Sequence, residues 1–363
     1  MTRYYHLGRS GLRVSRLCLG ALTFGENTFD GSWGANVATS RSLFDCYLDH
    51  GGNFIDTADV YTLGESEVLL GQFIEQSKSR HRIVLTTKYT ISSLPGSPVH
   101  AGNGRKNMMR AVEDSLRRLR TDYIDLYTMH VWDRITPADE VVRGFDDLIR
   151  QGKVRYAGLS DVPAWYAARA QTYAEAHALA PITCLQLPYS LVERSLEQEH
   201  SALALSLGIG VTAWSPLGMG ILSGKYHESG AGISGKGRLN STRRENVLGY
   251  FTPRNFAIAE ELRRVAQEVD RSCAQVAINW VAGRPAVASV IVGASKLAQL
   301  EDNLASLDFD LPRELQNRLD AASAPGDGSP YSMFHDSFQR DTVNGGSQVG
   351  DKPSRYHDHI FRA

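Results

Sequence analysis

LGALTFGENTFDGSWGANV, residues 19–37, decides between two architectures. It overlaps the end of the chain's first apolar run, RLCLG (Arg16–Gly20), and leads into a helical pattern, ATSRSLFDCYLDHG. An open, doubly wound sheet usually carries GxGxxG at such a junction, where glycines let the backbone approach a pyrophosphate. Here the glycines fall at positions 20, 25, 31 and 34, and the spacing does not match. A closed barrel is therefore favoured, provided the rest of the chain supplies enough parallel strands.

Beyond this stretch, seven more short β-branched or apolar runs follow. They are NFID (Asn53–Asp56), RIVLTT (Arg82–Thr87), YIDLYTMH (Tyr123–His130), VRYAGLS (Val154–Ser160), TCLQ (Thr183–Gln186), GVTAW (Gly210–Trp214) and SVIVG (Ser289–Gly293). Helical patterns separate them, among them ESEVLLGQFIEQS, NMMRAVEDSLRRLR and PADEVVRGFDDLIRQGK. Gly51 suits the residue after a helix end, and Pro137 suits the first helical position. The alternation runs from about Arg16 to Ser306 without a linker, which predicts an α/β fold, a (β/α)8 TIM barrel. The leading segment YYHLGRSGLRVS reads as a β-hairpin turning at Ser10–Gly11 and plugging the N-terminal end of the barrel. Three segments exceed ordinary connections: Thr90–Lys106, Leu217–Pro253 as a long lid after the seventh strand, and Ala324–Ala363. Residues 1–323 are thus expected to form one barrel domain, with 324–363 a C-terminal tail covering the substrate pocket.

Composition narrows the function classes. The chain has 363 residues, 42% hydrophobic and 22% charged, with a net charge of −1. No basic field points to nucleic acid, and no apolar run approaches the roughly 20 residues of a membrane span. The N-terminus lacks the apolar core of a signal peptide. Cys18, Cys46, Cys184 and Cys273 are scattered, without a CxxC pair, and read as free thiols of a reducing, cytoplasmic setting.

Barrel enzymes carry their chemistry where strands end. Those ends hold Asp56, Lys88 and His130, with Tyr61 in the loop after the second strand. Singly, such residues are more often caps, packing aromatics or solvated charges. Together, on adjacent strands, an acid, a phenol, an ammonium and an imidazole suit the delivery of a proton to an oxygen that gains negative charge. Lys88 is expected to lower the pKa of Tyr61, Asp56 to hold Lys88, and His130 to orient the oxygen. The group supplies no electrons, so the reductant must be a bound cofactor.

NFIDTADVY–GESE, TTK, SLRRLRTDYIDLYTMH, GKVRYAGLS, LQLPYSLVER, WSPLGMGILSGKY and GASKLAQLEDN together resemble the aldo-keto reductase family, over most of the chain up to about Ala322. The resemblance implies a barrel that reduces aldehydes and ketones with NADPH, less often NADH. It implies Asp56, Tyr61, Lys88 and His130 as the catalytic tetrad, with Tyr61 the acid. It places Ser160 and Gln186 on the nicotinamide amide, and Trp214 against the ring. Asp161 stands where relatives commonly have Asn; a carboxylate can accept from the amide but cannot donate to it. Ser215, Leu217, Gly218 and Gly220 would line the pyrophosphate, with Lys225 and Arg238 as basic lid residues. Gly293, Ser295, Lys296, Gln299 and Asn303 would lie near the adenosine ribose and its 2′-phosphate. Lys296 instead of an Arg leaves NADPH the first choice and NADH the second.

The branch it most resembles holds bacterial aryl-alcohol dehydrogenase-like reductases, deoxysugar reductases and potassium-channel β subunits. Phe24, Trp33, Tyr89, Trp132, Tyr331 and Phe334 are candidate substrate walls, Tyr89 foremost. The first expectation is an NADPH-dependent carbonyl reductase of a small-molecule substrate. The alternatives are a cofactor-binding regulatory subunit with little turnover, a reductase of keto sugars or sugar enones, and a barrel of other chemistry. For the last, His357–His359 is too isolated to build a metal site. Substrate identity and oligomeric state are not legible.

Overall fold

The computed structural model describes residues 1, 3–26, 34–229, 232–234, 239, 249–326 and 328–347. A short antiparallel pair opens the chain, β1 (Tyr4–His6) with β2 (Arg13–Ser15). Eight strands then close a barrel: β3 (Leu17–Gly20), β4 (Phe54–Asp56), β5 (Val84–Tyr89), β6 (Ile124–Met129), β7 (Val154–Ser160), β8 (Ile182–Pro188), β9 (Gly210–Trp214) and β12 (Val287–Gly293). Every neighbouring pair is parallel, and β12 closes on β3. The outer layer is α1 (Val37–Asp49), α2 (Glu65–Ser77), α3 (Arg105–Leu119), α4 (Ala138–Arg150), α5 (Ala164–Ala176), α6 (His200–Leu207), α7 (Pro253–Glu268), α8 (Cys273–Ala282), α9 (Leu297–Leu304) and α10 (Arg313–Ala322). The segment after β9 adds a small pair, β10 (His227–Ser229) with β11 (Gly232–Ser234). Among the described residues no helix is long and apolar enough to cross a membrane.

Parallel strands buried on both faces need apolar or β-branched residues throughout, and all six residues of β5, VLTTKY, are buried. The helices bury one stripe only. In α3, Met108, Ala111, Val112, Ser115 and Leu119 recur at helical spacing, and all are buried. Local signals fix their ends. Asn36 caps α1 by accepting from Thr39 N–H at 2.9 Å, and Ser272 with Gln275 forms a capping box on α8. Pro137 occupies the N-cap position of α4, not the first helical position, because its ψ of 145° is extended.

The hairpin does sit on the barrel floor. Leu7 packs with Val14, Cys18, Phe54, Val84 and Leu126 inside the barrel. The left-handed residue of its turn is Gly8 (φ +60°), not Gly11. A Cβ on Gly8 would meet Gly208 O and Gly210 N at 2.7 Å, so only glycine permits this approach.

Gly71 similarly allows α2 to lie against the end of α3. A Cβ there would stand 2.4 Å from Arg118 O and 2.8 Å from Leu119 C, both backbone atoms. Gly71→Ala is therefore expected to lower stability by about 1–3 kcal/mol despite the better helix propensity of alanine. A lower urea midpoint checks this; an unchanged one would mean that α2 and α3 part without cost.

Candidate active site

Strand alternation builds the site. On β4, Phe54 points into the barrel and so does Asp56; Ile55 between them belongs to the outer core. On β5 the inward series Val84–Thr86 reaches Lys88, and on β6 Leu126–Thr128 leads to His130 just past the strand. On β7 and β8 the series end on Ser160 and Gln186, which are register partners. On β9 the last inward residue is Trp214. The side chains at the C-terminal mouth are thus the final members of the inward-facing rows.

Lys88 is fully buried, and its ammonium donates to Asp56 Oδ2 (2.7 Å), Thr57 O (2.8 Å) and Tyr61 Oη (3.1 Å). These three acceptors use all three of its N–H groups. Asp56 Oδ1 accepts from Gln186 Nε2 at 2.8 Å, so the carboxylate is held on both oxygens. The ring of His130 meets that of Tyr61 edge-on, 5.6 Å between centroids. His130 Nδ1 is buried without a hydrogen-bond partner among the described residues. The four candidate residues are therefore within one another's reach.

Burial sets the charges. It opposes the Lys88 ammonium, but Asp56 and Tyr61 overcome it and raise the lysine pKa above its ordinary value. It pushes the Tyr61 phenol above its usual value, and Lys88 only partly offsets this. The expected depression of the Tyr61 pKa is thus reversed in direction, because desolvation outweighs the neighbouring cation. Burial and Lys88 both hold His130 well below the usual histidine range, so its imidazole is neutral.

A cavity of about 820 Å³ opens over these groups. Asp56, Tyr61 and His130 line its inner part, with Ser160, Asp161, Gln186 and Trp214. Asp161 Oδ1 accepts from the Trp214 indole N–H at 3.0 Å. Ser215, Leu217, Gly220 and Lys225 line it after β9, and Gly293, Ser295, Lys296, Gln299 and Asn303 after β12. Gln299 Oε1 accepts from Ser295 N at 3.1 Å, and Asn303 Nδ2 donates to Gly293 O at 3.4 Å. Lys225 and Lys296 have no carboxylate partner among the described residues. The size, and the two ammoniums without a carboxylate partner among the described residues, suit a ligand with a phosphorylated tail.

Some candidates behave differently. Gly218 does not line the cavity; its N–H donates to Ser215 O, and that of Gly220 to Leu217 O, both at 2.9 Å. These amides close turns and are not free donors. Arg238 and Trp33 lie outside the described residues, as does His357–His359. Tyr89 is not a wall residue. One position after inward-facing Lys88, it points outward, stacks on Tyr127 at 5.3 Å and is buried. Phe24 is likewise buried against Phe73. Tyr331 donates to Glu199 at 2.7 Å and Phe334 is exposed, and neither lines the cavity. Trp132 borders a second cavity of about 430 Å³ that shares Asp161 with the first. Thr23, Ala274, Ile278 and Asp302 also line the main cavity and are not apparent from the strand ends. For two of them the sequence does hold a signal: Ala274 and Ile278 are four apart on α8, within the apolar run CAQVAINWVA.

Residues 16–324 match the profile of the aldo/keto reductase family. An oxidoreductase of Bacillus subtilis is 35% identical, covering 90% of this chain and 98% of its own length. An aryl-alcohol dehydrogenase (NADP(+)) of Phanerodontia chrysosporium is 31% identical, covering 92% and 89%. A probable voltage-gated potassium channel subunit beta of Arabidopsis thaliana is 35% identical, covering 84% and 91%.

Proposed function

The chain belongs to the aldo/keto reductase family and is an NAD(P)H-dependent oxidoreductase, and on that premise we propose that it reduces aromatic aldehydes or ketones with NADPH, Tyr61 delivering the proton. The observation that carries this reading is the triple engagement of Lys88. Because the ammonium donates to Tyr61 Oη, the phenolic hydrogen is left to point at the cavity. When bound, a reduced nicotinamide supplies the hydride for the carbonyl carbon. Tyr61 protonates the oxygen. An alkoxide is far more basic than a phenolate, so the transfer is downhill even from a phenol of raised pKa, and Lys88 stabilises the phenolate left behind. Neutral His130 donates to the same oxygen and orients it.

Ser160 and the free Oε1 of Gln186 would hold the carboxamide, and Trp214 would flank the ring. Lys225, with Arg238, would meet the phosphates beside Leu217–Gly220. Lys296, Ser295, Gln299 and Asn303 would take the adenosine ribose and its 2′-phosphate, beside Gly293. Support for an aromatic substrate comes from the aryl-alcohol dehydrogenase relative and from Trp132. Its ring lies 5.3 Å from Trp165 and 5.9 Å from Tyr166, and of the three Trp132 borders the second cavity together with the shared Asp161. Residues 1–323 act as one domain and 324–363 as a tail; the thiols of Cys18, Cys46, Cys184 and Cys273 are free, which supports a cytoplasmic setting.

Steady-state cofactor oxidation over a carbonyl panel tests the reading. Aryl aldehydes are expected to exceed aliphatic ones at least about tenfold in kcat/KM, and NADPH to exceed NADH similarly. Tight NADPH binding with no turnover on any carbonyl would overturn the enzyme reading in favour of a regulatory subunit. Preference for keto sugars or sugar enones would overturn the substrate class alone.

A further inference from the structure

The charges along the main cavity are unevenly compensated. At its inner end the Asp56 carboxylate and the Lys88 ammonium form a buried pair at 2.7 Å and cancel. His130 is neutral, and Tyr61 remains a phenol. Asp161 is left. It lines this cavity, and its only polar side-chain contact among the described residues is the neutral indole N–H of Trp214. Burial lifts its carboxyl to about 6, against the pull of Trp214 and Lys88, so it is charged at neutral pH. Arg134 and His200 border the second cavity together with Asp161, but neither forms an ion pair with it. At the outer end, the Asp302 carboxylate is occupied by Ser272 Oγ and Gln275 Nε2, each at 2.9 Å, while Lys225 and Lys296 have no carboxylate partner among the described residues.

The backbone fixes where Asp161 stands. Its φ is +46°, a conformation that Asp and Asn tolerate better than other side chains. Its N–H donates to Gln186 O at 3.2 Å, and its carbonyl accepts from Trp132 N–H at 3.3 Å. The carboxylate is thereby held at the mouths of β7, β8 and β9, beside Ser160 and Gln186.

We propose that Asp161 discriminates between the two redox forms of the cofactor: its carboxylate, uncompensated among the described residues at the inner end of the cavity, favours the cationic oxidised nicotinamide over the neutral reduced one. This rests on the cofactor reading above. Asparagine would bond the carboxamide from both ends but would bring no charge. In a partly buried site a fixed charge is weakly screened, and it acts wherever positive charge develops on the ring. Tighter binding of the oxidised form makes the bound reduced form a stronger hydride donor; each tenfold in affinity ratio corresponds to about 30 mV for a two-electron couple.

Calorimetric titration of wild type and Asp161→Asn with NADP(+), NADPH and the phosphorylated ADP-ribose portion alone tests the proposal. Asn fits the left-handed backbone and still accepts from Trp214. The expected result is an NADP(+) Kd weakened about tenfold in Asp161→Asn, NADPH changed less than about threefold, and the ADP-ribose portion unchanged. Unchanged binding of that portion also shows that the variant is folded. Equal shifts for NADP(+) and NADPH, or none for either, would overturn the role of Asp161 alone. Failure of wild type to bind any of the three would overturn the cofactor reading and the proposal with it.

Discussion

Tyr61→Phe is expected to bind NADPH as tightly as wild type and to lose about a hundred- to ten-thousand-fold in kcat for carbonyl reduction, the usual range for removing a general acid. The substitution deletes only the hydroxyl. Lys88 keeps its bonds to Asp56 and Thr57, and the ring keeps its edge contact with His130. The affinity and the turnover should therefore separate, which a collapsed site would not allow. The pH profile supplies a second check. Reduction needs the phenol protonated, and burial holds its pKa above the usual tyrosine value of about 10. In wild type, kcat/KM for reduction should stay level through neutral pH and fall only at strongly alkaline pH. Alcohol oxidation needs the phenolate and should rise over the same range. Tyr61→Phe should lose both alkaline limbs. Turnover within about threefold of wild type would remove Tyr61 from the mechanism, whatever the cofactor affinity.

The same parity of strand positions that places Tyr61's partners shows how far the site was legible in the sequence. Asp56, Lys88 and His130 stand an even number of residues beyond inward-facing Phe54, Val84 and Leu126, so their meeting at the mouth follows from strand alternation once the barrel is accepted. Ser160 and Gln186 also end strands, but only the family resemblance singled them out as site residues. Tyr89 fails as a wall residue by the same rule: directly following Lys88, it has to face the helices. The direction of the Tyr61 shift was not legible, because it depends on how far desolvation outweighs the pull of Lys88, which only the folded packing sets. Nor was the use of the Gly218 and Gly220 amides, since the turns that consume them arise from positive φ values at Ser215, Gly218, Met219 and Gly220. Helix α8 is hard to read because its apolar run, CAQVAINWVA, is buried almost all round and lacks the two-faced pattern of α3. The strand order itself needed little beyond the absent GxGxxG, because eight parallel strands without a topological switch have one closed solution.

Lys88→Met carries the largest expected cost in stability. The side chains of Lys88 and Asp56 are 0% and 4% exposed, so deleting the ammonium strands a largely desolvated carboxylate without its cationic partner. Removing one member of a buried pair typically costs about 3–5 kcal/mol. Gln186 Nε2 still donates to Asp56 Oδ1, which places the expected loss toward the lower end of that range. Methionine matches the lysine stem in volume, so the loss measures charge and not a cavity. Asp56→Asn together with Lys88→Met should therefore be more stable than Lys88→Met alone, since the second change removes the stranded charge. Urea unfolding of the two single variants and the double variant gives the coupling directly. Catalysis separates from stability in this cycle. The double variant should recover most of the folding free energy and none of the kcat, because nothing remains to stabilise a phenolate at Tyr61. If Lys88→Met unfolds at the wild-type urea midpoint, the pair is not desolvated as its geometry requires, and the low-dielectric basis for proton delivery from Tyr61 fails with it.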